Sequence, residues 1–365
     1  MLTALVYLQA LRFAVPAFVM LGTSPCYVAT LLVPWRVISA ILPTRWYHAV
    51  DDVMYSCYQR MVVFFYEHYT GLEVVLYGDV DCLEKKENVI YICNHQSTID
   101  WIVSDLVSIR QGSLGHLRYV LKDGLKYFPL YGAYFAMHGG VYVKRSGQFK
   151  TDTFTKRLEK FPKHNIPLWL VIFPEGTRYN PELPDVIKKS QGFAYSSGLT
   201  VLNQVLTPRV KATAASLHEL RNYIDAVYDC TIAYEWKDEN FQRKPGPGMT
   251  DFLTGCCSRV HVHIRRVKVE DVPVDTNECR QWLHDAFEEK DIMLEDFYSN
   301  DPNVQGRLPG EGQRSPLSLM QTVPALIFWS GLLTAFLATE KGRSAYWKSL
   351  VFGTLGGCLL MAATT

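Results

Sequence analysis

The chain has 365 residues, 37 Lys+Arg against 36 Asp+Glu, a formal net charge of +1 at pH 7 and nine cysteines. The length suffices for one large domain or two ordinary ones with a sizeable core, and the near-zero charge excludes a general nucleic-acid binder, which carries a strong basic excess. An odd cysteine count, with no Asn-X-Ser/Thr acceptor, points to free thiols on a cytosol-facing domain.

Phe13 to Trp35 contains no charged residue and is bracketed by Arg12 and Arg36. About 20 apolar residues as helix cross a bilayer core, so residues 1–42 are expected to form a membrane segment. Pro16, Gly22, Pro25 and Pro34 interrupt it. Both a straight span and a re-entrant helix pair turning near Gly22–Pro25 fit. A cleaved signal peptide fits poorly, because no small-residue cleavage site follows at a suitable distance.

Residues 52–298 alternate strand-like and helix-length runs. Strands are predicted at 72–78, 89–93, 117–121, 140–144, 168–173, 227–234 and 260–269. Helices are predicted at 98–110, 124–137, 153–161 and 276–298. This alternation implies an α/β domain, a central mixed sheet flanked by helices. Residues 299–316, SNDPNVQGRLPGEGQRSP, read as a polar Pro/Gly linker, and 317–365 as a C-terminal transmembrane helix pair. A flexible linker cannot shape a site closely, so the C-terminal pair is expected to be dispensable for measurable activity and residues 1–42 to be required.

Within VIYICNHQSTIDW (89–101), an apolar run ends in polar residues that include His95 and Asp100. Five residues on a helix rotate by about 500°, and an odd separation on a strand puts side chains on opposite faces. Neither element pairs them, but a strand-to-helix turn does. With Ser97 or Thr98 as N-cap, Asp100 falls in the first helical turn and reaches back to one imidazole nitrogen. The other nitrogen is then free as a base near neutral pH. Taken alone, the pair also fits a loop histidine beside an ordinary first-turn acid.

No Gly-X-Ser-X-Gly elbow is present, so a base here suggests deprotonation of a substrate hydroxyl or of water. His261 and His263 share one strand face near Cys256 and Cys257, but the paired spacing of a zinc site is missing, and no metal is expected. Two further blocks break apolar strands with basic residues: GGVYVKR, ending in Lys144 and Arg145, and FPEGTR, containing Glu175, Gly176, Thr177 and Arg178. Ligands of α/β sheets sit at the carboxyl ends of strands. Gly176 permits a tight turn that exposes backbone N–H groups, and the guanidinium of Arg178 matches phosphate.

NHQSTID, GGVYVKR, FPEGTR and VLTPR (205–209), in that order, resemble the four blocks of the glycerolipid acyltransferase family, lysophosphatidic acid acyltransferase type. The resemblance covers 94–209 by motif. It implies that His95 is the base and Asp100 its partner, that Glu175, Gly176, Thr177 and Arg178 hold the acyl acceptor with Lys144 and Arg145 assisting, and that Pro208 borders the acyl pocket. The partners implied are acyl-CoA as co-substrate, lysophosphatidic acid and the bilayer, with no cofactor. The compartment implied is the endoplasmic reticulum membrane, with nuclear envelope and mitochondrial membrane as further sites. Arg209 after Pro208 departs from the usual apolar pair, as in a lysocardiolipin-type branch, so lysocardiolipin or lysophosphatidylinositol stand as alternative acceptors. The rivals from other classes are a hydrolase and a non-catalytic membrane interaction protein.

Overall fold

The structure, a computed structural model, describes residues 2–144, 149–236 and 243–364. The strands are β1 (Glu73–Gly78), β2 (Val89–Cys93), β3 (Leu117–Lys122), β4 (Val141–Val143), β5 (Trp169–Ile172), β6 (Ala226–Tyr234), β7 (Arg259–Lys268) and β8 (Gln313–Arg314). They form one sheet in the order β4-β3-β5-β2-β6-β7-β1-β8. β2 lies near its centre, parallel to both β5 and β6, while β7 and β8 pair antiparallel with β6 and β1. A parallel strand covered on both faces reads as a continuous apolar run, and all five β2 residues are buried. Val89, Tyr91 and Cys93 join one core with the helix Asp100–Gln111. Ile90 and Ile92 face the other core, with the helices Val210–Leu220 and Thr276–Tyr298.

The predicted helix over 124–137 is divided. A 3₁₀ turn covers Asp123–Tyr127 and an α-helix Tyr131–His138, with Pro129 between them and Leu130 at φ 63°. Proline disfavours helical backbone before it and donates no hydrogen bond. The helix Pro184–Ser196 was not predicted. Among its residues only Ala194 is buried, so the sequence carries no clear apolar stripe.

The N-terminal segment does not fold back at Gly22–Pro25. Ala10–Ile41 is one helical run, long and apolar enough to cross a membrane, and just over half of its most apolar 18-residue stretch is buried within the protein. Its backbone widens to π geometry over Val28–Leu32, where the Val33 N–H bonds the Val28 carbonyl. This bulge lies directly before Pro34, whose ring otherwise collides with the carbonyl four residues back. At the other end, Val323–Ala338 and the helix that follows are bent 109° to one another. The first has 16 residues, about 24 Å at 1.5 Å per residue, which is short of a bilayer core of about 30 Å. The two helices therefore meet in an elbow.

Nor is 299–316 a free linker. Gln313 and Arg314 add β8 to the β1 edge, and the Ser315 N–H bonds the Val74 carbonyl at 3.0 Å. Arg110 bonds Ser315 Oγ at 2.9 Å and Glu67 at 2.8 Å, and Glu67 accepts the Leu317 N–H at 3.0 Å. Beyond it, Trp329 is fully buried against Tyr27 and Tyr58, and its indole N–H donates to the Cys57 carbonyl at 3.2 Å. The elbow thus packs on the N-terminal helices and is held to the sheet edge. Trp329→Ala is expected to cost about 3–5 kcal/mol, and removal of 315–365 to lose folded protein rather than leave activity. Thermal unfolding of the purified protein in neutral detergent checks both; an unchanged Tm for Trp329→Ala would contradict this packing.

Candidate active site

β2 ends in a turn built by side chains. The Asn94 amide continues the β2–β6 ladder, accepting from the Ile232 N–H at 2.7 Å and donating to the Ile232 carbonyl at 3.0 Å. His95 follows, and its Nδ1 lies 2.7 Å from Asp100 Oδ2. That oxygen also accepts the backbone N–H groups of Gln96 at 2.7 Å and Ser97 at 2.9 Å, while Oδ1 accepts from the Tyr234 hydroxyl at 2.6 Å. Asp100 is fully buried. Its carboxylate organises the turn that the spacing calls for, though not through the expected cap. The helix begins at Asp100 itself, Ser97 Oγ accepts the Ile99 N–H at 3.0 Å, and Thr98 is exposed.

With Nδ1 donating to a carboxylate, Nε2 carries the imidazole lone pair. The ring stacks on Phe173 at 4.7 Å, its side chain is 18% exposed, and no described residue bonds Nε2. Ser97 Oγ donates to the Pro247 carbonyl at 2.5 Å, so that hydroxyl is already committed.

The FPEGTR block follows β5, the neighbour of β2. Glu175 is 2% exposed, and its two oxygens accept the backbone N–H groups of His95 at 2.6 Å and Leu206 at 2.8 Å. It ties three of the sequence blocks together, with each of its oxygens engaged by a backbone N–H. Burial pushes its carboxyl up to about 8, against the two N–H donors that lower it. Gly176 adopts φ +67° and donates its N–H to Phe173 O at 3.0 Å, so that group serves the turn instead of facing outward. A Cβ added there would meet the Arg209 side chain at 3.4 Å. Thr177 is half-buried and Arg178 exposed, and neither backbone N–H is engaged among the described residues. Arg178 and Arg209 have no ion-pair partner among the described residues, and both are exposed. Pro208 is buried one residue before Arg209, whose N–H bonds the Pro174 carbonyl at 2.9 Å.

Lys144 is exposed at the end of β4, with β3 and β5 between it and β2. Three strand spacings put it on the order of 14 Å across the sheet, so it is not brought beside His95. Arg145 lies outside the described residues. Both ring nitrogens of His261 are taken, by the Tyr77 hydroxyl at 2.9 Å and Glu235 at 3.1 Å.

One contributor escaped the sequence. Arg243, from the Pro/Gly loop before β7, lies between the rings of Tyr179 at 4.3 Å and Tyr298 at 4.5 Å. It donates to Gln96 Oε1 at 2.5 Å and to the Gln204 carbonyl at 2.8 Å. Tyr179 in turn donates its N–H to the His95 carbonyl at 2.7 Å. The only sequence signal was one arginine in a turn-rich stretch, which is too common to single out.

Residues 74–223 match the Acyltransferase family and 251–329 the Acyltransferase C-terminus family. The chain is 44% identical over 361 residues to 1-acyl-sn-glycerol-3-phosphate acyltransferase epsilon of Mus musculus, covering 98% of each. It is 32% identical over 288 residues to the probable 1-acyl-sn-glycerol-3-phosphate acyltransferase 5 of Arabidopsis thaliana, 77% of this chain and 72% of that one. A solved structure, the 1-acyl-sn-glycerophosphate acyltransferase PlsC from Thermotoga maritima, is similar with TM-score 0.45 and 15% identity, covering 80% of this chain and 100% of that chain. The class that the family match and the two sequence relatives define is the acyltransferases. Within it, the chain belongs to the 1-acyl-sn-glycerol-3-phosphate acyltransferase family.

The raised carboxyl of Glu175 has a stability signature. A group held near 8 when folded, against an ordinary value of 4.5, contributes stability that is fully present below pH 4.5 and lost as pH rises through 8. Glu175→Gln cannot ionise. Its stability relative to the parent protein is therefore expected to rise from pH 5 to pH 8 and then level off. Denaturant unfolding of both proteins across that range checks this; a difference independent of pH would show that Glu175 stays ionised.

Proposed function

We propose that the protein transfers an acyl group from acyl-CoA to the sn-2 hydroxyl of 1-acyl-glycerol-3-phosphate, giving phosphatidic acid. The observation that carries this reading is His95. Its Nδ1 is anchored on a fully buried carboxylate while no described residue bonds Nε2, at a strand end. Nε2 takes the proton as the hydroxyl oxygen attacks the thioester carbonyl. The tetrahedral intermediate collapses with cleavage of the C–S bond, and the departing thiolate recovers the proton from the imidazolium. Asp100 stabilises that imidazolium and fixes its tautomer. The unengaged N–H groups of Thr177 and Arg178 are donors available to the oxyanion. No covalent acyl-enzyme is needed, consistent with the engaged Ser97 hydroxyl and the fully buried Cys93 thiol. No cofactor enters these steps, and acyl-CoA is a co-substrate.

The acceptor's phosphate is assigned to Arg178, with Arg209 across Gly176 as a second guanidinium. Arg209 also favours a second reading, in which a larger phosphodiester head group, of the lysocardiolipin or lysophosphatidylinositol kind, is accepted at the same place. The apolar run Ala10–Ile41 supports a reaction at a bilayer surface. We assign that bilayer to the endoplasmic reticulum, with nuclear envelope and mitochondrial membrane as further sites and the domain facing the cytosol.

His95→Ala is expected to abolish acyl transfer with the fold intact, measured by product formation and by an unchanged unfolding transition; near-normal turnover would refute the mechanism. Arg178→Ala is expected to raise KM for lysophosphatidate more than for acyl-CoA, the loss being about 2–5 kcal/mol if the charge pair is desolvated. A panel of lysophospholipid acceptors with one acyl-CoA separates the two readings of the acceptor.

A further inference from the structure

The parallel strands have two ends, and His95 occupies the carboxyl end of β2. At the opposite end, where Asn88 leads into β2 and Pro167 into β5, a cleft of about 860 Å³ opens. Five strand residues separate the two, about 17 Å at 3.3–3.4 Å per residue. The helix Thr44–Val63 supplies Arg45, His48, Asp52 and Arg60 to this cleft, and Met320 borders it from the C-terminal side.

The cleft has more positive charge than its own structure uses. Arg45 is exposed and has no acidic partner among the described residues. Among the described residues Arg60 donates only to neutral oxygens, Ser56 Oγ at 3.3 Å and the Gln321 carbonyl at 2.7 Å. Asp52 is the one acid in the lining, and Arg118 behind it already bonds its carboxylate. His48 is 4% exposed, and its Nδ1 has no hydrogen-bond partner. Two uncompensated guanidiniums and an orphaned imidazole nitrogen in one recess call for an anion with several acceptor oxygens, which a phosphate supplies.

A divalent cation is the competing occupant, because ligand atoms of His48, Asp51 and Asp52 lie within 4.8 Å of one another. The charges oppose it. Asp51 pairs with His138 Nδ1 at 2.6 Å, Asp52 pairs with Arg118, and Lys160 acts electrostatically on Asp51. Two cations, Arg118 and Lys160, thus stand against the two carboxylates, and no net negative charge is left to hold a metal.

The rim indicates what carries the phosphate. Val53 and Met320 border the cleft and are largely exposed, as are the nearby Trp46 and Ile41, where the long N-terminal helical run ends. We propose that this cleft binds the phosphate of an anionic phospholipid, whose chains lie along Trp46, Val53 and Met320. It is a second lipid site, at the far end of the sheet from the acyl-transfer site and independent of the function proposed for it.

Cys57 also lines the cleft and is half-buried, whereas Cys256 is exposed. Alkylation of the two thiols in the full chain, in neutral detergent micelles, therefore reports locally. Water-soluble dihexanoyl phosphatidic acid is expected to slow labelling of Cys57 several-fold and leave Cys256 unchanged. Dihexanoylglycerol and inorganic phosphate are expected to do neither. Arg45→Gln, on an exposed side chain without hydrogen bonds among the described residues, and Arg60→Gln are each expected to raise the half-effective phosphatidic acid concentration about tenfold, whereas Arg178→Ala leaves it unchanged. Absence of slowing, equal slowing by inorganic phosphate or dihexanoylglycerol, or slowing by magnesium or zinc chloride alone would overturn the proposal.

Discussion

The geometry at the end of β2 depends on one buried carboxylate. Asp100 accepts four hydrogen bonds, from an imidazole, two backbone N–H groups and a phenol. A carboxylate taken fully out of water is tolerated only when its lone pairs are met, and these four donors meet them. The same bonds that make the burial bearable close the turn, so His95 cannot be displaced without leaving a buried charge unsatisfied. The site is stiff because the electrostatic cost of loosening it is high.

Glu175 applies the same logic between segments. His95 and Leu206 are 80 and 31 residues away from it, yet both give it their backbone N–H. The segment after β5 therefore stands beside the segment after β2, with Arg209 brought over Gly176. At that position a side chain would meet both the strain of positive φ and the Arg209 stem. Arg243 closes the arrangement from the loop before β7, filling the space between two tyrosine rings while bonding Gln96. The turn that carries His95 and the segment that carries Arg209 are thereby held by Glu175 and Arg243, which bond backbone and side chains of both.

What could be read from the sequence follows the range of the interactions. His95 and Asp100 are five residues apart, and a local turn argument brings them together. The strands were legible because β2 and β5 are unbroken apolar runs and β6 and β7 are long and β-branched. Glu175 was visible as a residue but not as a staple, since its partners come from distant segments. Arg243 gave no local signal at all. The C-terminal helices were visible as uncharged stretches, but their bend and the pairing of 313–314 with β1 are tertiary facts. A Pro/Gly-rich composition does not distinguish a mobile linker from a strap pinned by Arg110 and Glu67.

The near-neutral charge of the chain looks uninformative until the charges are sorted by partner. Arg110, Arg118, Arg259, Arg265 and Arg266 each face a carboxylate. Their charge is spent within the protein, where it offsets the desolvation of buried acids such as Asp52 and Asp229. Arg178 and Arg209 at one end of the sheet, and Arg45 and Arg60 at the other, have no such partner among the described residues. Bulk neutrality argues against a polyanion partner, and a guanidinium that faces no carboxylate beside a structured turn or cleft leaves its charge available to a small anion.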